Sequence, residues 1–319
     1  MILNTTSKRA TILRCLTEGM SIRATSRITG SSTTTVLRTI EDCGEACNAY
    51  QDKHLRGLPV DFLQMDELFC FVGCREKAKS RAKGDHPGET WCWVALCERT
   101  KLRITWHVGD RSTASANAFI ADLSTRVPET CQITSDGLAS YRWPVSLHMP
   151  RAHFAQLVKI YSDDGETVKG ISKMPVSGDP MPEHINTSYV EASNLHLRMQ
   201  NRRYARLTNA HSKKMANHCH MLAISFFHHN FCRKHMTIGT TPARAAGICN
   251  HTWSMDDVIR MTEQYFSDKE NAAFEKAFAK KYTPPRKLPL SYRPTPKAEI
   301  PLPWYLDMSR EAPPDDLDS

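Results

Sequence analysis

Three apolar segments in the first third of the chain limit most strongly what it can fold into. Residues 60–72 (VDFLQMDELFCFV), 91–97 (WCWVALC) and 102–108 (LRITWHV) are rich in aromatic and β-branched residues, and polar, turn-prone stretches separate them. This composition is typical of strands. An amphipathic helix over 113–126 and a short strand over 131–135 follow. The order of three strands, a helix and a strand predicts an α/β domain in which an antiparallel meander is extended by a crossover.

The N-terminal segment, residues 7–47, predicts three short helices in the outline of a helix-turn-helix. Ser21 can cap the second helix and Gly30 can end it, while Ser32 or Thr33 can begin the third. The pattern leaves open a small helical bundle that binds protein or nothing at all.

The same segment has the charge of a nucleic-acid-binding module. The first 40 residues carry six Lys and Arg against one acid. Helix N-termini that carry hydroxyl side chains suit phosphate and base-edge contacts in the major groove, so we expect residues 1–50 to be a DNA-binding domain. The expected contacts are Arg23, Arg27, Ser32, Thr33, Thr34 and Arg38.

The rest of the chain changes character several times. We expect one domain over residues 59–235, with an irregular insertion at 144–188, where periodicity is weak. A helical segment over 236–280 follows. Nine of the eighteen Pro lie in 281–319, which predicts an extended or disordered tail.

Three acids stand out by their positions in these elements. Asp66 lies in the middle of the first apolar strand, where a charge is costly unless it faces a cation or a polar partner. Asp136 ends a later strand, immediately before Gly137, and Glu191 opens a basic helix. If the two strands are neighbours, both aspartates can emerge on one side of the sheet, and a helix packed across that side can bring in Glu191.

Clustered carboxylates repel one another, so a site of this kind requires divalent cations. Hard oxygen ligands favour Mg²⁺, for which Mn²⁺ can substitute, over Zn²⁺. Two ions about 3.5–4 Å apart can assist both oxygens of a phosphodiester displacement. Arg198 follows Glu191 by seven residues, nearly on the same helical face, and can hold a phosphate. Because the chain has 34 acids, this pattern alone leaves open that the aspartates are ordinary strand-edge residues.

Four segments together resemble the DDE transposases of bacterial insertion sequences, closest to the IS-one-like family. They are QMDELFCFVG (64–73), ITSDGLASY (133–141), YVEASNLHLRMQNRRYARLTNAHSKK (189–214) and TPARAAGICNHTWSMDDVI (241–259). The string E-x-x-N-L-x-x-R is the most specific part. The resemblance runs in matching order from about residue 60 to residue 260, and it implies a ribonuclease-H-like mixed sheet with flanking helices.

The resemblance also implies roles for particular residues. Asp66, Asp136 and Glu191 match the family's catalytic and metal-binding triad, with Glu183 as a competitor for Glu191. The DNA-contacting residues that we expect in the catalytic part are Asn194, Arg198 and Arg202. The implied cofactors are two Mg²⁺ ions. The implied partner is double-stranded DNA, at the element ends and at the target, held by a homodimer or a higher oligomer.

Other features limit the class of protein. The chain has no C-x-x-C, so we expect no zinc site, and we expect the eleven Cys to be reduced thiols, with the pairs Cys43/Cys47 and Cys70/Cys74 buried. No apolar stretch approaches the roughly 18 residues of a membrane span, and the first residues lack a signal peptide. We therefore expect a cytoplasmic, nucleoid-associated protein without a membrane partner.

Two other functions fit the residues. One is a helix-turn-helix regulator whose α/β domain has structural carboxylates. The other is a metal-dependent nuclease that cuts without joining. The basic run at 77–86 is either a solvated hairpin or a DNA contact.

Overall fold

The computed structural model describes residues 2–75, 88–162, 168–205 and 209–282. The chain divides into two compact units, residues 1–269 and residues 270–319. The basic run at 77–86 and residues 283–319 of the Pro-rich tail lie outside the described residues. Of the second unit, the described part is the C-terminal portion of a helix that ends at Tyr282.

Three helices precede the first three strands, two further helices separate the later strands, and the remaining helices follow the last strand. The helices are α1 Ile2–Thr17, α2 Ile22–Thr29, α3 Thr33–His54, α4 Thr113–Ser124, α5 Arg142–His148, α6 Ser188–Gln200, α7 Met215–Phe227, α8 Pro242–Ala245 and α9 Met255–Tyr282. The strands are β1 Phe62–Val72, β2 Gly88–Cys97, β3 Arg103–Gly109, β4 Gln132–Asp136, β5 His153–Tyr161 and β6 Val168–Ser177.

The strands form a mixed, open sheet in the order β3-β2-β1-β4-β5-β6. The first three strands pair antiparallel, β4 lies parallel to β1 and to β5, and β6 closes the other edge antiparallel. The predicted order of three strands, a helix and a strand is confirmed. The helix is the crossover that makes β1 and β4 parallel neighbours, because parallel strands need such a connection.

The prediction of an irregular insertion over 144–188 is wrong. This segment contributes most of α5 and the whole of β5 and β6, so it builds half of the parallel pairing and one sheet edge. The hydrophobic signal was weak for a physical reason. The polar side chain of Gln156 can be fully buried in β5 because its amide nitrogen donates a hydrogen bond to the Asp136 carbonyl. The edge strand β6 is mostly solvent-exposed and needs few apolar residues.

The starts of α2 and α3 follow the prediction, whereas α1 begins at Ile2, before the predicted residue 7. The Ser21 hydroxyl caps α2, Gly30 ends it with a φ of 62°, in the left-handed region that favours glycine, and the Ser32 hydroxyl caps α3. The third helix is longer than predicted, because it continues to His54 instead of ending near residue 47. Its second half packs on α7 and buries the pair Cys43/Cys47 as predicted.

The close approach of α3 and α7 depends on Gly44. A Cβ added there would lie 2.4 Å from the Cβ of His220, which is closer than side chains tolerate. The Gln51 side chain also donates to the Ala223 carbonyl of α7, at 3.1 Å. These contacts fix α3 against the rest of the fold.

Two buried clusters cover the two faces of the sheet. The larger one unites apolar residues of α1 and α3 with Leu63 and Met65 of β1 and with α4, so the predicted N-terminal module and the sheet share one core. The smaller cluster contains Leu68 and Cys70 of β1 together with residues of α6 and α7. Because side chains alternate along a strand, even-numbered β1 residues face α6 and odd-numbered residues face the larger cluster. No helix of the described chain is both long and apolar enough to cross a bilayer.

Candidate active site

The sheet places the two predicted aspartates on neighbouring strands. Residues 62–65 of β1 pair in parallel with residues 132–135 of β4, so Asp66 and Asp136 are the next residues of the two strands. The alternation of side chains assigns Asp66 to the face that α6 covers. Asp136 ends β4, and its carboxylate accepts a hydrogen bond from the backbone N–H of Leu138 at 3.0 Å. The neighbouring strands that the sequence required are therefore present.

Glu191 lies in the first turn of α6, and a buried glutamine of β1 fixes that turn. Gln64 is fully buried, and its side-chain oxygen accepts the backbone N–H groups of Tyr189 and Val190, each at 3.0 Å. Its amide nitrogen donates to the Asn186 side chain at 2.7 Å. Since the first N–H groups of a helix have no partner within the helix, Gln64 acts as an external cap. The Thr187 hydroxyl donates to Glu191 at 3.0 Å.

Sequence reasoning missed Gln64. The available signal was an amide within an apolar strand, two residues before Asp66 and therefore on the same face, because a polar side chain in such a strand requires hydrogen-bond partners.

Asn194 joins α6 to β1 directly. Its side-chain nitrogen donates to an Asp66 carboxylate oxygen at 2.8 Å. The pKa of Asp66 is raised to about 6, mainly because burial disfavours the charged carboxylate, and also because Asp136 and Glu191 carry negative charge nearby. The Asn194 hydrogen bond opposes this rise. The three predicted carboxylates therefore share one electrostatic environment.

A second missed residue, the acid Glu67, lies beside Asp66 on the opposite face. The Glu67 side chain is 1 % exposed, accepts a hydrogen bond from Arg111 Nε at 3.1 Å and lies 3.0 Å from Arg111 Nη2 in an ion pair. The same guanidinium lies 3.5 Å from Asp136 and 4.6 Å from the centre of the Trp91 ring. Burial raises the pKa of Glu67 to about 7. Arg111 thus connects the carboxylates of the two sheet faces at the end of β4.

The structure contains no ready-made metal cage in the residues that it describes: no group of three or more His, Cys, Asp or Glu could hold an ion. Two of the predicted ligands have protein partners instead, because Thr187 bonds Glu191 and Arg111 contacts Asp136. The chemistry of the donor set nonetheless fits a hard divalent cation, since all three side chains offer carboxylate oxygens.

The other predicted site residues lie on three parts of the fold. Arg198, on α6, donates to the Tyr204 carbonyl at 3.4 Å, and its charge lowers the pKa of the Cys70 thiol against the larger effect of burial. Arg202 is exposed in the turn that follows α6. The competitor Glu183 is exposed in a separate 3-10 turn, Pro182–His184.

The predicted DNA contacts of the N-terminal helices are exposed but not equivalent. Thr33, Thr34 and Arg38 occupy the first turns of α3 and face solvent, as Arg27 does on α2. The Ser32 hydroxyl already accepts the Thr35 backbone N–H at 3.0 Å. Ser32, one of the predicted DNA contacts, therefore already serves as the cap of α3. Arg23, at the start of α2, is exposed and lines a cleft with Arg202.

Comparison with protein-family models and with curated proteins finds no match to this chain.

Proposed function

We propose that the protein is a DDE-type DNA transposase that cleaves and joins DNA strands with divalent metal ions. The observation that supports the proposal is the placement of three acids from distant segments: Asp66 and Asp136 follow the paired residues of neighbouring strands, and the charges of Asp136 and Glu191 both raise the pKa of Asp66. The order of the six strands is compatible with a ribonuclease-H-like core.

Asp66, Asp136 and Glu191 form no ready-made cage among the described residues, so their side chains would have to converge to hold the Mg²⁺ or Mn²⁺ ions. When bound, such ions neutralise the carboxylates and stabilise the charge that develops on a phosphodiester in the displacement. Asn194 keeps the Asp66 carboxylate oriented through its 2.8 Å hydrogen bond, and Gln64 keeps the first turn of α6 against β1. These residues hold the carboxylates before the substrate arrives, which lowers the cost of reorganisation during the reaction.

The remaining parts of the proposal follow from this activity. The capped helices α2 and α3 would read the element ends as a helix-turn-helix, with Arg27, Thr33, Thr34 and Arg38 toward DNA. Two ends must be held for strand transfer, so the active form would be a homodimer or a higher oligomer on DNA. A protein of this kind would be associated with the nucleoid.

Strand-nicking and strand-joining assays with Mg²⁺ on end-containing DNA test the proposal. Asp66→Asn, Asp136→Asn and Glu191→Gln should each reduce nicking to background and leave DNA binding in EDTA intact. Glu183→Gln is the matched control, because it removes the same charge at the rival glutamate, and it should cut normally. Near-normal cleavage by any triad variant removes that residue from the site. Nicking without joining identifies a nuclease, and binding without nicking by the unaltered protein identifies a regulator.

A further inference from the structure

A basic cleft of about 650 Å³ lies between the start of α2 and the segment that leads into α7. Five cationic side chains line this basic cleft: Arg23, Arg202, Arg203, Lys213 and Lys214. Its lining, all of it within the described residues, contains no Asp or Glu. Uncompensated positive charge in a concave surface concentrates field lines and attracts anions.

Arg203 differs from the other four cations because it is buried. It is only 7 % exposed, and its guanidinium donates to the Ser212 hydroxyl at 3.0 Å, whereas no ion pair joins it to a carboxylate in the described chain. Burial lowers its pKa to about 10. A buried guanidinium is costly without a negative partner, so the fold keeps a strong donor at the wall of the basic cleft that an incoming anion can use.

The Lys213 ammonium, one of the five cations, contacts the His211 ring. The Lys213 ammonium lies 2.8 Å from the His211 ring nitrogen Nε2, and the other ring nitrogen is buried without a hydrogen-bond partner. Burial and the Lys213 charge lower the pKa of His211, so the ring favours its neutral form. The donors that phosphate oxygens can use in the cleft are therefore its Lys and Arg side chains.

The rest of the lining favours the backbone of a duplex over an unpaired strand. The apolar part of the basic cleft comes from Met20, Ile22 and Leu37, and the lining residues include no Phe, Tyr or Trp. Proteins that hold unpaired strands rely on aromatic platforms for the bases, which this cleft lacks. Duplex recognition through phosphates needs only Lys and Arg.

Helix α6 relates the basic cleft to the candidate active site. Glu191 lies in the first turn of α6, and Arg202 follows the last turn, 11 residues later. At 1.5 Å per residue this is about 16 Å, which corresponds to about five base pairs at 3.4 Å each. We propose that the basic cleft binds the sugar-phosphate backbone of duplex DNA about five base pairs from the phosphodiester at the candidate active site, an inference that rests on the proposed function.

The test measures DNA affinity without catalysis. Fluorescence anisotropy with a labelled 30-base-pair duplex in EDTA, over a series of salt concentrations, compares the unaltered protein with Lys213→Ala/Lys214→Ala. Each lost phosphate contact lowers the slope of log affinity against log salt by about 0.9, so the double variant should lose about 1.8 in slope and about ten- to a hundredfold in affinity near 0.1 M salt. The matched control is Arg233→Ala/Lys234→Ala. These two basic residues are also consecutive in sequence and exposed, as Lys213 and Lys214 are, but they lie outside the basic cleft.

The DNA-binding results and the nicking results test the basic cleft and the proposed activity separately. A duplex affinity and slope that Lys213→Ala/Lys214→Ala leaves unchanged, or that the control lowers equally, overturns the cleft assignment while metal-dependent nicking can still support the transposase. Tighter binding of a 30-nucleotide single strand than of the duplex also overturns it. No DNA binding by the unaltered protein overturns both proposals. Circular dichroism confirms that both double variants are folded.

Discussion

The Asn194 side chain donates a 2.8 Å hydrogen bond to the Asp66 carboxylate, although the two residues are 128 positions apart in the chain. This bond joins the covering helix α6 to the central strand β1 at the centre of the candidate active site. It also gives the asparagine of the E-x-x-N string a definite structural partner.

Removal of this amide should impair cleavage more than folding. A hydrogen bond to a charged group is worth about 1.5–3 kcal/mol, so Asn194→Ala should slow Mg²⁺-dependent nicking by about ten- to a hundredfold. Asn194→Asp should be worse, because it adds a negative charge beside Asp66. The exposed Asn48→Ala on α3 is the control and should cut normally. Normal nicking by Asn194→Ala, with a reduced free energy of unfolding, would show that the bond is only structural.

The cap that Gln64 provides should be measurable as stability. Gln64→Met keeps the size of the side chain but leaves the N–H groups of Tyr189 and Val190 without their acceptor. We expect a loss of about 1–3 kcal/mol in the free energy of unfolding, measured by urea denaturation. Gln200→Met, at the last residue of the same helix, should change it by less than about 0.5 kcal/mol. Equal effects of the two substitutions would contradict the assigned role.

The pair of Glu67 and Arg111 should behave as a coupled unit. Arg111→Met leaves a carboxylate that is 1 % exposed without its cation, and it should destabilise the protein by about 1–3 kcal/mol. Adding Glu67→Gln should recover much of that loss, which a double-mutant cycle measures. The control is Arg260→Met, which breaks an exposed pair with Asp257 and should cost less than about 1 kcal/mol. Additive losses in the cycle would argue against coupling.

Buried histidines should make the protein sensitive to acid. The pKa of His218 is lowered to about 3, because burial and the Arg203 charge disfavour the protonated ring, and that of His228 is lowered to about 4, mainly by burial. Below the unfolded value of about 6.5, the unfolded chain binds protons that the folded chain does not. The stabilising contribution is therefore present above that pH and is lost as pH falls toward 3.

The His218→Gln variant tests this dependence. Between pH 6 and pH 4, its free energy of unfolding should fall less steeply than that of the unaltered protein, by up to about 1.4 kcal/mol per pH unit. His251→Gln, at an exposed ring, is the control and should keep the original slope. Identical slopes for all three proteins would show that His218 does not titrate as its burial requires.

The sequence predicts those parts of the fold that depend on residues close to one another in the chain. The hydroxyl caps at Ser21 and Ser32 and the apolar runs of the first strands are local features, and the structure has all of them. The strands β5 and β6 were missed because a buried glutamine and an exposed edge strand give little periodicity. The full length of α3 was missed because its second half is stabilised by packing against α7 and not by its own sequence pattern.

The sequence by itself determined the α/β class and the starts of α2 and α3, and it singled out three acids as candidates, since these depend on residue type and near-neighbour spacing. Only the tertiary structure decided which side chains support those acids. Gln64 and Asn194 come from a strand and a helix more than a hundred residues apart. Arg111, which follows β3, joins Glu67 of β1 to Asp136 of β4. Such contacts depend on the alignment of neighbouring strands and on the side of the sheet that each helix covers, and neither is encoded in local periodicity.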